Sequence, residues 1–147
     1  MAWARIALAA AAVVAFGFLF CGCGPDDAEL LQQAVASISA DRALEAEIWE
    51  AGSASRQLSA DEEGALVAGL ARATLKVGRD RSWDGPTPER IAIIHTSGGG
   101  RVSLCLWDED VAMWWSSLRL PSGEVSDCGR ALVLEAPQVA SWLKEGA

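Results

Sequence analysis

The chain holds one histidine, His95. A hydrolytic triad needs a histidine beside a nucleophilic serine and an orienting acid. No serine here sits in a G-x-S-x-G elbow, so His95 reads as a sheet-face or surface residue. Ser97–Arg101 (SGGGR) has glycines like those of a phosphate-binding loop, but such a loop opens a helix and normally carries a lysine. This one leads into a β-branched, apolar run and reads as a hairpin turn. Asp108–Asp110 (DED) offers too few ligands, wrongly spaced, for calcium. The carboxylate pairs Glu45/Glu47 and Glu62/Glu63 have no evident partner that would raise a pKa, so neither is assigned acid–base work. Zinc takes four ligands, and past the N-terminal segment only Cys105, Cys128 and His95 remain of the cysteine and histidine set. The expectation is a protein without catalytic residues, metal or cofactor.

Trp107, Trp114 and Trp115 are the remaining candidates. Neighbours in a strand point to opposite faces, so Trp114 and Trp115 cannot both be core if the strand has one covered face. An exposed indole offers large contact area at low entropic cost, suited to a glycan or a protein partner. If a helix covers that face instead, all three are packing residues. Cys105 and Cys128 form a candidate disulfide in an oxidising compartment, provided their Cα atoms come within about 7 Å; otherwise they are two buried thiols.

These residues must be positioned by the elements around them. Asp26–Ala40 has apolar residues at helical spacing behind two aspartates. Arg42–Glu50 mixes helix-forming residue types with strict alternation, and the polar Gly52–Gln57 after it favours a strand followed by a loop. Ser59–Val77 is the clearest helix: Ser59 and Glu62 make a capping box, Asp61 to Glu63 load the first turn, and Gly78 ends it. Arg79–Glu89 is a turn-rich loop. Arg90–Trp107 reads as a hairpin, Val111–Leu120 as a third strand bent near Ser116, and Arg130–Glu135 as a fourth. Pro137 opens a short C-terminal helix. The expected fold class is α+β: a small antiparallel sheet of about four strands with helices packed on one face.

The 147 residues carry 12 basic and 20 acidic side chains, a net charge of −8, and Arg5 is the only charge before Asp26. That balance argues against nucleic acid as a partner. Before the body, Ile6–Phe20 is an uncharged apolar run behind Arg5, the layout of an export signal. It ends at Phe20-Cys21-Gly22-Cys23. This segment resembles bacterial lipoprotein signal peptides, in which an apolar residue and two small residues precede the cysteine that is lipidated. Phe20 departs from the usual leucine. The resemblance covers about 23 residues and implies that Cys23 becomes the acylated N-terminus, with several acyl chains giving stable membrane attachment. Ile6–Gly24 also just reaches the length of an uncleaved span.

The resulting division is a signal peptide over 1–22, a tether over 23–29 and one α+β domain over 30–147. The implied location is the bacterial cell envelope, with the body facing periplasm or exterior. Gly24 in place of aspartate favours the outer membrane where the host has one. The expected role is a non-enzymatic binding or interaction module, with an envelope protein or a glycan as partner. The alternatives are a peptidoglycan binder or enzyme inhibitor using exposed tryptophans, and an uncleaved single-span protein.

Overall fold

Asp26 begins the first helix: its Oδ1 accepts from the Glu29 N–H at 2.7 Å, and α1 runs over Asp27–Ala40. This computed structural model describes residues 26–76 and 88–145, with side chains omitted at 129 and 130. The signal peptide, Cys23 and most of the Arg79–Glu89 loop lie outside the described residues. Helical backbone starts at Asp27, within the helix expected over Asp26–Ala40, and residues 23–25 of the expected tether lie outside the described residues. Leu31, Ala34 and Ile38 form the buried stripe of α1, and burial of such an aliphatic side chain stabilises by roughly 1.5–3 kcal/mol.

The second helix, α2, spans Ala60–Ala71. Its capping box forms as the sequence implies, with the Glu62 N–H donating to Ser59 Oγ at 3.2 Å and the Ser59 N–H donating to Glu62 Oε1 at 3.1 Å. Its end differs from expectation. The chain leaves the helix at Arg72 and enters a two-residue strand, β3 (Thr74–Leu75), which pairs with Glu135 and Leu134. Leu75 fits the helical stripe equally well, but the pairing partner lies 60 residues away and overrides the local pattern. The third helix, α3, covers Pro137–Glu145.

The sheet is larger than the four strands expected. The strands are β1 (Glu45–Glu50), β2 (Arg56–Gln57), β3, β4 (Arg90–His95), β5 (Arg101–Trp107), β6 (Asp110–Arg119) and β7 (Val125–Glu135). They form one antiparallel sheet in the order β2-β1-β4-β5-β6-β7-β3. The alternating Arg42–Glu50 segment does supply a strand. Gly52–Gln57, read as a loop, ends in β2 instead. The fourth expected strand begins five residues earlier than its apolar run implied, so Cys128 lies inside β7.

One face of the sheet packs against all three helices. Ala46, Ile48, Ala92, Ile94, Val102, Leu104, Val111 and Met113 join Leu31, Leu66, Leu70, Val139 and Leu143 in a single core. The opposite face carries Glu47, Ile93, His95, Arg101, Ser103, Cys105, Ala112 and Trp114, the alternate residues of the same strands. Arg90 ties the sheet to α3: its Nη1 donates to the carbonyls of Leu143 and Lys144 at 3.1 and 2.9 Å, and its Nε to Glu50 at 3.1 Å. A cation at these terminal carbonyls answers the negative end of the helix dipole.

The β4–β5 connection is the hairpin turn read from SGGG. Thr96 N–H donates to the Gly100 carbonyl at 2.9 Å, and Gly99 takes φ +85°. Gly100 is required for space: a Cβ there would stand 2.7 Å from Thr96 Oγ1 and 2.8 Å from the Ser117 carbonyl. Gly100→Ala is expected to destabilise the fold by about 1–3 kcal/mol in urea unfolding. Gly64→Ala, at a helical site with open space around the new methyl, is expected to stabilise by up to about 1 kcal/mol.

Glu62 also accepts both Nη atoms of Arg56 at 3.1 Å. That pairing, followed by the bond from Ser59 N–H, holds its carboxyl at about 2 against an ordinary 4.5. The folded value lies below the unfolded one, so the contribution is complete above pH 4.5 and is lost as pH falls toward 2. Glu62→Gln is expected to flatten the acid limb of Tm against pH across that window.

Candidate functional site

The β6–β7 pairing is regular from Val111 to Met113 and then shifts twice. Met113 opposes Leu132, but Trp115 opposes Cys128 and Leu118 opposes Ser126. Extra residues are first accommodated on β7 and then on β6. Ser117 absorbs the second shift with φ +53°. Its N–H donates to Asp127 Oδ1 at 2.7 Å. Irregularities of this kind bend a strand and re-aim its side chains.

A cleft of about 520 Å³ opens beside this irregularity. Arg101, Ser103, Trp114, Ser116 and Asp127 line it, together with Ile91, Trp115 and Cys128. The register explains the grouping: Ser103 opposes Trp114 and Arg101 opposes Ser116 across β5–β6. The volume lies in the range of small-molecule clefts.

The polar lining is unusual in what it leaves unsatisfied. Ser103 is 5% exposed, and among the described residues no hydrogen bond to its hydroxyl is present. A buried hydroxyl without a partner costs on the order of 1–3 kcal/mol. Arg101 and Asp127 are both exposed, and among the described residues neither forms an ion pair. Asp127 lines the cleft and accepts the Ser117 N–H with one carboxylate oxygen.

The three candidate tryptophans separate. Trp115 is 2% exposed, belongs to the core and donates from Nε1 to Ser126 Oγ at 3.1 Å. Trp114 is half-buried and forms a wall of the cleft. Trp107 is half-buried at the other end of β5, opposite Asp110, roughly 13 Å along the strand from the Trp114 pairing. It does not line the cleft. Arg101, Ser103, Ser116 and Asp127 were not singled out from sequence. Alternation along RVSLCLW places Arg101 and Ser103 on one face, whereas the positions of Ser116 and Asp127 depend on the β6–β7 irregularity.

Cys105 and Cys128 form no disulfide. Cys105 opposes Ala112 and Cys128 opposes Trp115, so they sit two strands apart, about 10 Å across the sheet, and offset along it. The alternative of two buried thiols holds. Burial pushes the Cys105 thiol up to about 12, which leaves almost no thiolate at neutral pH. His95 Nε2 lies 3.6 Å from Glu47 Oε1, and no hydrogen bond joins it to a serine among the described residues.

Among the described residues, no cluster of three or more His, Cys, Asp or Glu side chains could hold a metal ion, and no helix is long and apolar enough to cross a membrane. No protein-family model, curated protein or solved structure matches the chain.

Alkylation tests the state of Cys105. At pH 8 the folded chain is expected to leave Cys105 unmodified by iodoacetamide, and 6 M guanidinium, a concentration of about the strength that unfolds even very stable domains, is expected to expose it, read by peptide mass mapping.

Proposed function

We propose that this chain is a non-enzymatic binding module of the bacterial envelope, exported and held at a membrane by lipid on Cys23. Its binding surface is the cleft around Trp114. One observation carries the binding part: an aromatic wall, a cation and a carboxylate that form no ion pair among the described residues, and a buried hydroxyl without a hydrogen bond among them converge on one concavity. Convergent polar groups beside an aromatic surface are what fix and orient a bound molecule. The lipid anchor rests on the Phe20-Cys21-Gly22-Cys23 resemblance and on the uncharged apolar run Ile6–Phe20 behind Arg5.

Intact mass of the membrane-extracted protein tests the anchor. The expected species lacks residues 1–22 and carries added acyl mass, and Cys23→Ser abolishes that mass. A full-length mass identifies an uncleaved span instead. For the binding surface, the full chain is mixed with purified cell-envelope fragments from a host strain lacking it. Trp114→Ala is expected to lower the bound fraction with little change in Tm. Binding that survives this substitution moves the surface elsewhere, and wild-type protein that never sediments with the fragments overturns the module itself.

A further inference from the structure

The chemistry of the Trp114 cleft also specifies a class of ligand, an inference that rests on the binding surface proposed above. We infer that the cleft takes a neutral saccharide, with an uncharged pyranose ring laid against Trp114 and its hydroxyls shared among Arg101, Ser103 and Asp127.

Charge decides first. Among the described residues, the lining of the cleft holds one guanidinium and one carboxylate, and no ion pair joins them. An anionic ligand would satisfy Arg101 but face Asp127, and a cationic one the reverse. The net charge of −8 further disfavours a polyanion. Apolar ligands such as acyl chains fail for a different reason: they would desolvate both charged groups and the Ser103 hydroxyl without supplying hydrogen bonds.

Hydrogen-bond inventory decides next. The guanidinium only donates, the ionised carboxylate only accepts, and serine hydroxyls do both. A molecule that meets all three needs groups that donate and accept at several neighbouring positions. Sugar hydroxyls do this on every ring carbon that bears them. Ser103 is the most selective contact, because its hydroxyl is buried and, among the described residues, has no hydrogen bond for a ligand to displace. The C–H face of the pyranose supplies the apolar surface that an indole wall takes up.

The test uses the full chain in detergent, titrated calorimetrically with five probes. Cellotriose and triacetylchitotriose are neutral, trigalacturonic acid is anionic, deacetylated chitotriose is cationic, and leucine is a zwitterion. At least one neutral trisaccharide is expected to bind, with a change in tryptophan emission, and more tightly than any charged probe. Arg101→Gln, Asp127→Asn and Trp114→Ala are each expected to weaken it by about tenfold or more. Ser103→Ala is expected to weaken it while leaving Tm equal or higher, because it deletes an unsatisfied hydroxyl.

Tighter binding of a charged or zwitterionic probe overturns the ligand class. Neutral binding that is unchanged in all four variants overturns the site. If no probe binds while Trp114-dependent sedimentation with envelope fragments persists, the saccharide inference fails and the binding module stands. If neither occurs, both fail.

Discussion

The register in which β4 to β6 pair keeps Ala92, Ile94, Val102, Leu104, Val111 and Met113 under the helices. A slip of one residue would turn all of them outward, because side chains alternate with a period of two. The same register that builds the core therefore sets the composition of the opposite face. Arg101, Ser103 and Trp114 share that face because Val102, Leu104 and Met113 share the other. No separate device is needed to bring a cation, a hydroxyl and an indole together.

The β6–β7 pair departs from this regularity, and the cleft lies where it does. Alternation along β6 puts Trp115 in the core and Trp114, its neighbour in sequence, on the face of the cleft, and the two shifts in the β6–β7 pairing fall within a few residues of them. Ser117 tolerates a left-handed backbone because Asp127 accepts its N–H in place of a ladder partner. That bond fixes Asp127 as well, so the carboxylate in the cleft is held by the distortion that makes the cleft.

Much of this fold was legible in the chain, for local reasons. Asp26, Ser59 and Glu62 are cap residues whose action spans a single helical turn, and the helices begin at them. Alternation over Glu45–Glu50 and the glycine-joined runs at Arg90–Trp107 showed strands. What escaped was set by distant partners. Two residues such as Arg56–Gln57 or Thr74–Leu75 carry no periodicity, and they are strands because Glu47–Ile48 and Leu134–Glu135 stand beside them. The candidate site divides similarly. Trp114 and Trp115 had to separate by simple alternation, but nothing in sequence placed Trp107 roughly a dozen ångströms away or brought Asp127 to Arg101. The pairing imagined for Cys105 and Cys128 failed because β6 lies between their strands.

The order β2-β1-β4-β5-β6-β7-β3 ends at both described margins in a strand of two residues. A margin that short gives a neighbouring chain little backbone on which to register. The β2 margin carries the charged Arg56, whose guanidinium is held by Glu62. The stubs that made the sheet hard to count from sequence thus also offer little template for edge-to-edge pairing of two copies.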